Sequence, residues 1–352
     1  MTSVFNPSML ILARESRGLT QSKLSELIGL SQGKLSKVEK GLQTLPEDML
    51  EDIAKKLAYP INFFFQTTPT SPVSHYYYRK KITIPQKTIM QIESSIKVCR
   101  RNIDILTESI ELPEFPLPTF DSSLETPEEI SRKVRYILNL PRGPIQNLTK
   151  LVENLGILVF KVDFLHDKMD GLSTVSEKGN HIIFLNSSMS NDRQRFSLAH
   201  ELGHIVMHFD LPSPTVDVED EANRFASEFL MPEEDIKPSL RYLNFSKLGD
   251  LKRYWKVSMK SLVYRAKILK TITEKQYRNF QINFSRKKIN INEPILLPEE
   301  EPFLIKEIIR LHLQNLNYSI DELSDSLFLL RQEFEELFMA FNKPKLKIHR
   351  IQ

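Results

Sequence analysis

The sequence predicts a mainly α, α+β fold: a small helical bundle, then a central domain with a three-stranded sheet, then a helical C-terminal region. Three observations carry this expectation. Apolar residues recur at helical spacing along most of the chain, as at Leu24, Leu27 and Ile28. That pattern is broken in mid-chain by three short strand-like runs, ILVFKVD (157–163), GLSTVS (171–176) and HIIFLN (181–186). Only 10 of the 352 residues are glycine, which speaks against a Gly-rich nucleotide-binding architecture and for a helical one.

Taken in order, residues 8–58 read as a compact helical unit, with Leu10, Leu12 and Ala13 on one apolar face. Thr20 and Ser31 are each placed to cap a new helix, and Gly29 between them can take the positive φ of a short turn. A further helix, Pro46 to Leu57, begins with proline followed by Glu47 and Asp48, which suit the positive end of a helix dipole. QTTPTSPVS (66–74) reads as a linker, Gln86–Glu108 as one helix, and ELPEFPLPTF (111–120) as an extended hinge or packing strap. Helices are expected at Pro127–Leu138, Ile145–Leu155, about Asp192–His208, and Glu219–Leu230, the last stopped before Pro232. Beyond it the pattern stays helical, apart from a Pro-containing stretch near 292–302. The expected division is 1–66, a linker with a basic helix over 67–124, a central domain over 125–270 and a helical region over 271–352.

A net charge of +3 conceals segregation. Between His75 and Arg101 stand Arg79, Lys80, Lys81, Lys87, Lys97, Arg100 and Arg101 against Glu93 alone, and a second basic block runs from Lys247 to Lys288. Such blocks are solvated or interdomain faces, or surfaces that attract a phosphate backbone. The single cysteine, Cys99, can form no internal disulfide. The N-terminus lacks a secretory signal, and no apolar run approaches the ~18 residues of a membrane span. A cytoplasmic protein without membrane contact is expected. HYYYRKK (75–81) reads as an aromatic seal at a domain junction, with stacking on nucleic acid as the other use; Trp255 reads as core, and His75, His166, His181 and His349 as ordinary histidines.

The segment RFSLAHELGHIVMHFD (195–210) carries His200, His204 and His208 at intervals of four, with Glu201 after the first. On a helix, residues four apart share a face and rise about 6 Å. His200 and His204 can therefore direct their imidazoles at one ion about 2.0–2.1 Å from each, the distance zinc takes. His208, about 12 Å from His200, cannot share that ion and reads as supporting, substrate-facing or structural. Glu201 stands beside the ion, where a carboxylate takes a proton from activated water. A three-ligand site then needs one more donor from a nearby element. VEDEANRFASEFLMP (218–232) offers Glu219, Asp220 and Glu221. Glu221 borders the apolar face of Ala222, Phe225, Ala226 and Phe229 and is the preferred ligand, with Glu219 next. The plainer reading, a buried helix with satisfied histidines, would not require an acidic helix soon afterwards.

DRQRFSLAHELGHIVMH followed by DEANRFASEFLMP resembles the ImmA/IrrE family of zinc-dependent endopeptidases, as do the upstream DGLSTVS and HIIFLNSSM, over residues 125–270 or so. The resemblance implies a gluzincin-like domain with His200, His204 and Glu221 on Zn2+, Glu201 as catalytic base, and a helix-turn-helix repressor as substrate. LTQSKLSELIGLSQGKLSKVEKGLQ (19–43) resembles the Xre/Cro-like helix-turn-helix, including Ser36, Glu39 and Gly41. In that geometry the recognition helix starts at Ser31 and enters the major groove. Gln32 and Lys34 then face base edges or phosphates, Gln21 approaches the backbone and Lys37 reaches a phosphate. A bundle used for protein contacts is the alternative.

Two functions follow as expectations. One is a DNA-binding zinc endopeptidase that cleaves a regulatory protein, a repressor, and so controls transcription. The other is a transcription regulator whose peptidase-like domain senses a metal or ligand without turnover. The amphipathic SIDELSDSLFLLRQEFEELF suits packing onto the central domain or holding a second protomer in a homodimer.

Overall fold

The structure is a computed structural model in which the described residues are 4–67, 84–164, 166, 168–209, 217–289 and 293–339. HYYYRKK, His75 and His349 lie outside them.

The N-terminal bundle comprises α1 (Pro7–Ser16), α2 (Gln21–Leu27), α3 (Gln32–Glu39), α4 (Glu47–Leu57) and a 3₁₀ turn over Ile61–Phe65. Thr20 Oγ1 accepts from the Lys23 amide at 3.2 Å, and Ser31 Oγ from the Lys34 amide at 3.4 Å, so both expected caps form. Gly29 turns the chain between α2 and α3 at φ +65°. Pro46 stands just before α4 rather than at its first position. Met9, Leu10, Ala13, Leu24, Leu35, Val38, Ile53 and Leu57 form the core. A buried Arg14–Glu39 pair ties α1 to the end of α3, with contacts of 2.6 and 3.1 Å.

The next helix, α5 (Gln86–Leu106), is no spacer. Val98 joins the core of the bundle, and Ser94 and Ser95 donate to Glu15 and to the Ser16 carbonyl. Ile89, Ile92, Ile96, Cys99 and Ile103 instead pack against the sheet. Two cations of the basic block are consequently used inside the molecule: Arg100 is buried, and Arg101 lies over the Phe328 ring while donating to Gln66.

The central domain begins with α6 (Pro127–Ile137), started by a Thr126–Glu129 capping box, and the short α7 (Leu148–Glu153). The sheet holds β1 (Leu158–Val162), β2 (Gly171–Val175) and β3 (His181–Asn186) in the order β1-β3-β2, with β1 parallel and β2 antiparallel to β3. Strand side chains alternate between faces. Val159, Ile183 and Leu185 join the core of the central helices, while Leu158, Phe160, Ile182 and Phe184 join a second core with α5 and the C-terminal helices. Asp104 of α5 fixes the β2–β3 turn by accepting from Ser176 Oγ at 2.5 Å and the Glu177 amide at 3.0 Å. The strap of residues 111–120 forms no regular element; Leu117 is buried and the Phe120 amide donates to the Val206 carbonyl at 2.8 Å.

Next come α8 (Asn191–Met207), α9 (Val218–Leu230), the single turn α10 (Glu233–Ile236), α11 (Phe245–Trp255), α12 (Met259–Ile268) and α13 (Glu274–Arg286). Phe284 and Ile289 belong to the core of the central domain, so that domain extends past the expected boundary at 270. The segment 293–303 is an irregular strap held by carboxylates. Glu293 accepts from Lys252, Glu300 from the Leu148 and Thr149 amides at 2.8 and 3.0 Å, and Glu301 from Lys161. Glu300 also pairs with buried Arg195. Helices α14 (Leu304–Gln314), α15 (Ile320–Ser326) and α16 (Arg331–Phe334), with one wider turn to Met339, cover the outer face of the sheet. Glu333 then meets Arg17 of the first bundle at 2.7 Å.

Candidate metal centre

Helix α8 is buried nearly all round, because it lies between the sheet, α7 and α9. A histidine on such a helix must find polar partners inside the protein. His200 and His204 turn their Nε2 atoms toward each other, 3.1 Å apart. Helix α9 brings in Glu219, whose carboxylate oxygens stand 3.7 Å from His200 Nε2 and 3.5 Å from His204 Nε2. Among the described residues, these three side chains form the group able to hold one metal ion. Two ligand atoms bound tetrahedrally at about 2.0–2.1 Å from one ion stand roughly 3.4 Å apart. The two nitrogens at 3.1 Å, with one Glu219 oxygen 3.5 Å from His204 and the other 3.7 Å from His200, lie around that value, so the three side chains are placed to close on a zinc-sized ion.

The expected third ligand, Glu221, is not in this group. Glu219 and Glu221 are two residues apart, about 200° round a helix. Only one of them can face the imidazole pair, and it is Glu219. The apolar stripe of α9 does not decide between them, since both acids flank it. Glu221 instead accepts from His208 Nε2 at 2.8 Å. Asp220 is exposed and stands 3.9 Å from Arg224.

Close approach of α8 and α9 depends on Gly203, between the two histidines. A Cβ at that position would lie 3.0 Å from the Phe225 ring. Glu201 projects on the side toward the sheet, where Ser173 Oγ of β2 donates to its Oε2 at 2.8 Å. Gly171, two residues earlier on the same face of β2, also borders Glu201; a Cβ there would meet Glu201 Cγ in ordinary contact at 3.6 Å and crowd the Phe184 carbonyl oxygen at 3.0 Å.

His208, one turn beyond His204, is fully buried. Its Nδ1 faces His204 Nδ1 at 2.9 Å. Burial, and then the neighbouring His204, push its pKa down to about 4 although Glu221 pulls the other way, so at neutral pH the ring is uncharged. Asn223 of α9 completes the surroundings, with Oδ1 3.0 Å from His200 Nδ1. Ser173 and Asn223 were not singled out from the sequence. Ser173 has a readable signal in its alternation with Gly171 on β2, whereas Asn223 depends on the roll of α9.

The expected DNA contacts lie together on the first bundle. Gln32 and Lys37 are exposed, Lys34 is half-buried, and Ser31 caps α3. Gln21 donates to Glu39 Oε2 at 2.6 Å, which links the start of α2 to the Arg14–Glu39 pair. Among the described residues, no helix is long and apolar enough to cross a membrane.

Comparison with known proteins agrees with the division into these two domains. Residues 152–267 match the IrrE N-terminal-like domain, and residues 10–64 match the helix-turn-helix family. The chain is 34% identical over 62 residues to HTH-type transcriptional regulators of Sinorhizobium medicae (strain WSM419) and Rhizobium meliloti (strain 1021). That likeness covers 18% of this chain and 45% of each relative, so the chain spans less than half the length of the curated relatives it matches. The chain thus joins a helix-turn-helix DNA-binding domain to an IrrE-like, peptidase-like domain.

Proposed function

We propose that a chain so joined is a DNA-binding zinc-dependent endopeptidase, held at an operator by its first bundle and hydrolysing a peptide bond in a regulatory protein, a helix-turn-helix repressor. The observation that carries this reading is the convergence of His200, His204 and Glu219 with Glu201 alongside. Two imidazoles and a carboxylate are a donor set that suits zinc, which would supply a Lewis acid that polarises the scissile carbonyl and acidifies water. Glu201 accepts the proton of the attacking water and returns it to the leaving amide nitrogen as the C–N bond breaks. Ser173 holds Glu201 in place for that transfer. Gln32, Lys34 and Lys37, with Ser31 and Gln21 behind them, form the face that meets DNA.

The test is cleavage of helix-turn-helix repressors encoded beside this protein, by the zinc-loaded full chain. Glu201→Gln is expected to abolish cleavage, by 10²-fold or more if proton transfer is limiting (about the contribution of a positioned general base), while zinc content by elemental analysis stays near wild type. Cleavage that survives the change removes Glu201 from this role. A second reading, a regulator whose peptidase-like domain senses a ligand without turnover, draws support from the Arg17–Glu333 contact between the DNA-reading bundle and the C-terminal helices. It predicts operator binding that responds to zinc and is unchanged in Glu201→Gln.

A further inference from the structure

The proposed metal ligands are held from behind by side chains whose proton positions follow from their partners. Glu221 is an acceptor, so His208, 2.8 Å away, carries its ring proton on Nε2. A neutral imidazole with a proton on Nε2 has a lone pair on Nδ1. His208 Nδ1 faces His204 Nδ1 at 2.9 Å, so His204 must donate there and carry its own proton on Nδ1. That leaves the lone pair of His204 on Nε2, the atom that faces His200 and Glu219. His200 repeats the logic with a different partner: Asn223 Oδ1 accepts from Nδ1 at 3.0 Å and leaves Nε2 free of its proton. Chance packing would not need both rings to present the same atom to one point. His208 and Glu221 come from different helices, so the chain also fixes ring orientation across the α8–α9 contact.

We infer that Glu221 and His208 are a positioning pair that selects the His204 tautomer and aims its Nε2 at the metal, with Asn223 doing the same for His200. The inference rests on the metal reading proposed above. It gives the HxxxH spacing of His204 and His208 a purpose distinct from ligation, and it explains why Glu221 is retained inside the site without facing the ion. Partners of this kind, which orient a ligating histidine through its other ring nitrogen, change metal affinity by about 10–100-fold when removed.

The experiment is zinc binding by the metal-free full chain at one fixed pH, by competition with a chromophoric chelator, with Co2+ absorbance as a second readout of ligand geometry. His208→Phe, which fills the space but cannot accept from His204, is expected to weaken zinc binding by about 10–100-fold and alter the Co2+ spectrum. His208→Gln, whose amide oxygen can still accept, is expected to restore most of the affinity. Glu221→Ala is expected to weaken binding in the same direction. Equal zinc affinity in wild type and His208→Phe overturns the inference, as does equal loss in the Phe and Gln variants, which would mark a merely structural role. If His208→Phe does not fold, as judged by circular dichroism, unchanged affinity in Glu221→Ala overturns it. Wild type that binds no zinc defeats the metal reading itself, an outcome distinct from any of these.

Discussion

Glu153, at the end of α7, turns its carboxylate onto the Phe303 and Leu304 amides at the start of α14, at 2.6 and 3.2 Å. Burial dominates these hydrogen bonds and raises its pKa to about 7. In the unfolded chain the same group ionises near its ordinary value of 4.5. The native state therefore holds this proton between about pH 4.5 and 7 while the unfolded state has released it, so stability from this group falls as pH rises through that window. Replacing Glu153 with Gln should remove a slope of up to about 1.4 kcal/mol per pH unit from the unfolding free energy there, measured as the difference between wild type and variant in urea. Parallel pH profiles would refute it. The residue scale is also where the sequence was most and least readable. His200, Glu201 and His204 follow from intervals of one and four residues, which a helix converts directly into geometry. The choice of Glu219 over Glu221 does not, because it depends on how α9 is rolled against α8, and neighbouring acids look alike along a string of letters.

Among the elements, α8 and α9 define the site because they touch at Gly203. Gly203→Ala places a methyl 3.0 Å from the Phe225 ring, which can move only by displacing the core around Phe229. Overpacking of this kind costs about 1–3 kcal/mol, and here it should also push Glu219 away from the imidazoles. A lower thermal midpoint together with weaker zinc binding is expected; an unchanged midpoint would mean that the two helices are not in tight contact. The existence of the helices and of the three strands was legible from apolar periodicity, with ends displaced by a residue or more. What covered them was not. The apolar stripe of α5 predicts a buried face, yet nothing local says that one edge meets the first bundle and another the sheet. The amphipathic SIDELSDSLFLLRQEFEELF suits either packing or a protomer contact, and in the structure Leu323, Leu327 and Phe334 pack into the core on the sheet. A partner distant in sequence leaves no periodic trace.

For the molecule as a whole, the governing feature is that the sheet is shared between two cores and the strap of residues 293–303 fastens one to the other. Charge segregation was visible in the sequence, but the pairs Arg195–Glu300 and Lys161–Glu301 join positions more than a hundred residues apart and could not be read from it. The contact between Arg17 and Glu333 is more distant still. Arg17 donates to both Glu333 oxygens at 2.8 and 2.7 Å, to the Leu57 and Ala58 carbonyls, and its guanidinium lies 4.2 Å from the centroid of the Tyr59 ring. Glu333→Ala leaves that cation buried without its counter-ion, which should cost about 3–5 kcal/mol in chemical unfolding. A midpoint equal to wild type would show that the pair contributes nothing.

That same pair closes a loop of 316 residues. Contacts separated so far along the chain are entropically expensive to nucleate and tend to assemble after the local ones. Loosening it should therefore shorten the lifetime of the native state and leave the speed of refolding almost untouched. In kinetic terms Arg17 and Glu333 act as a buckle between the first bundle and the C-terminal helices, fastened last.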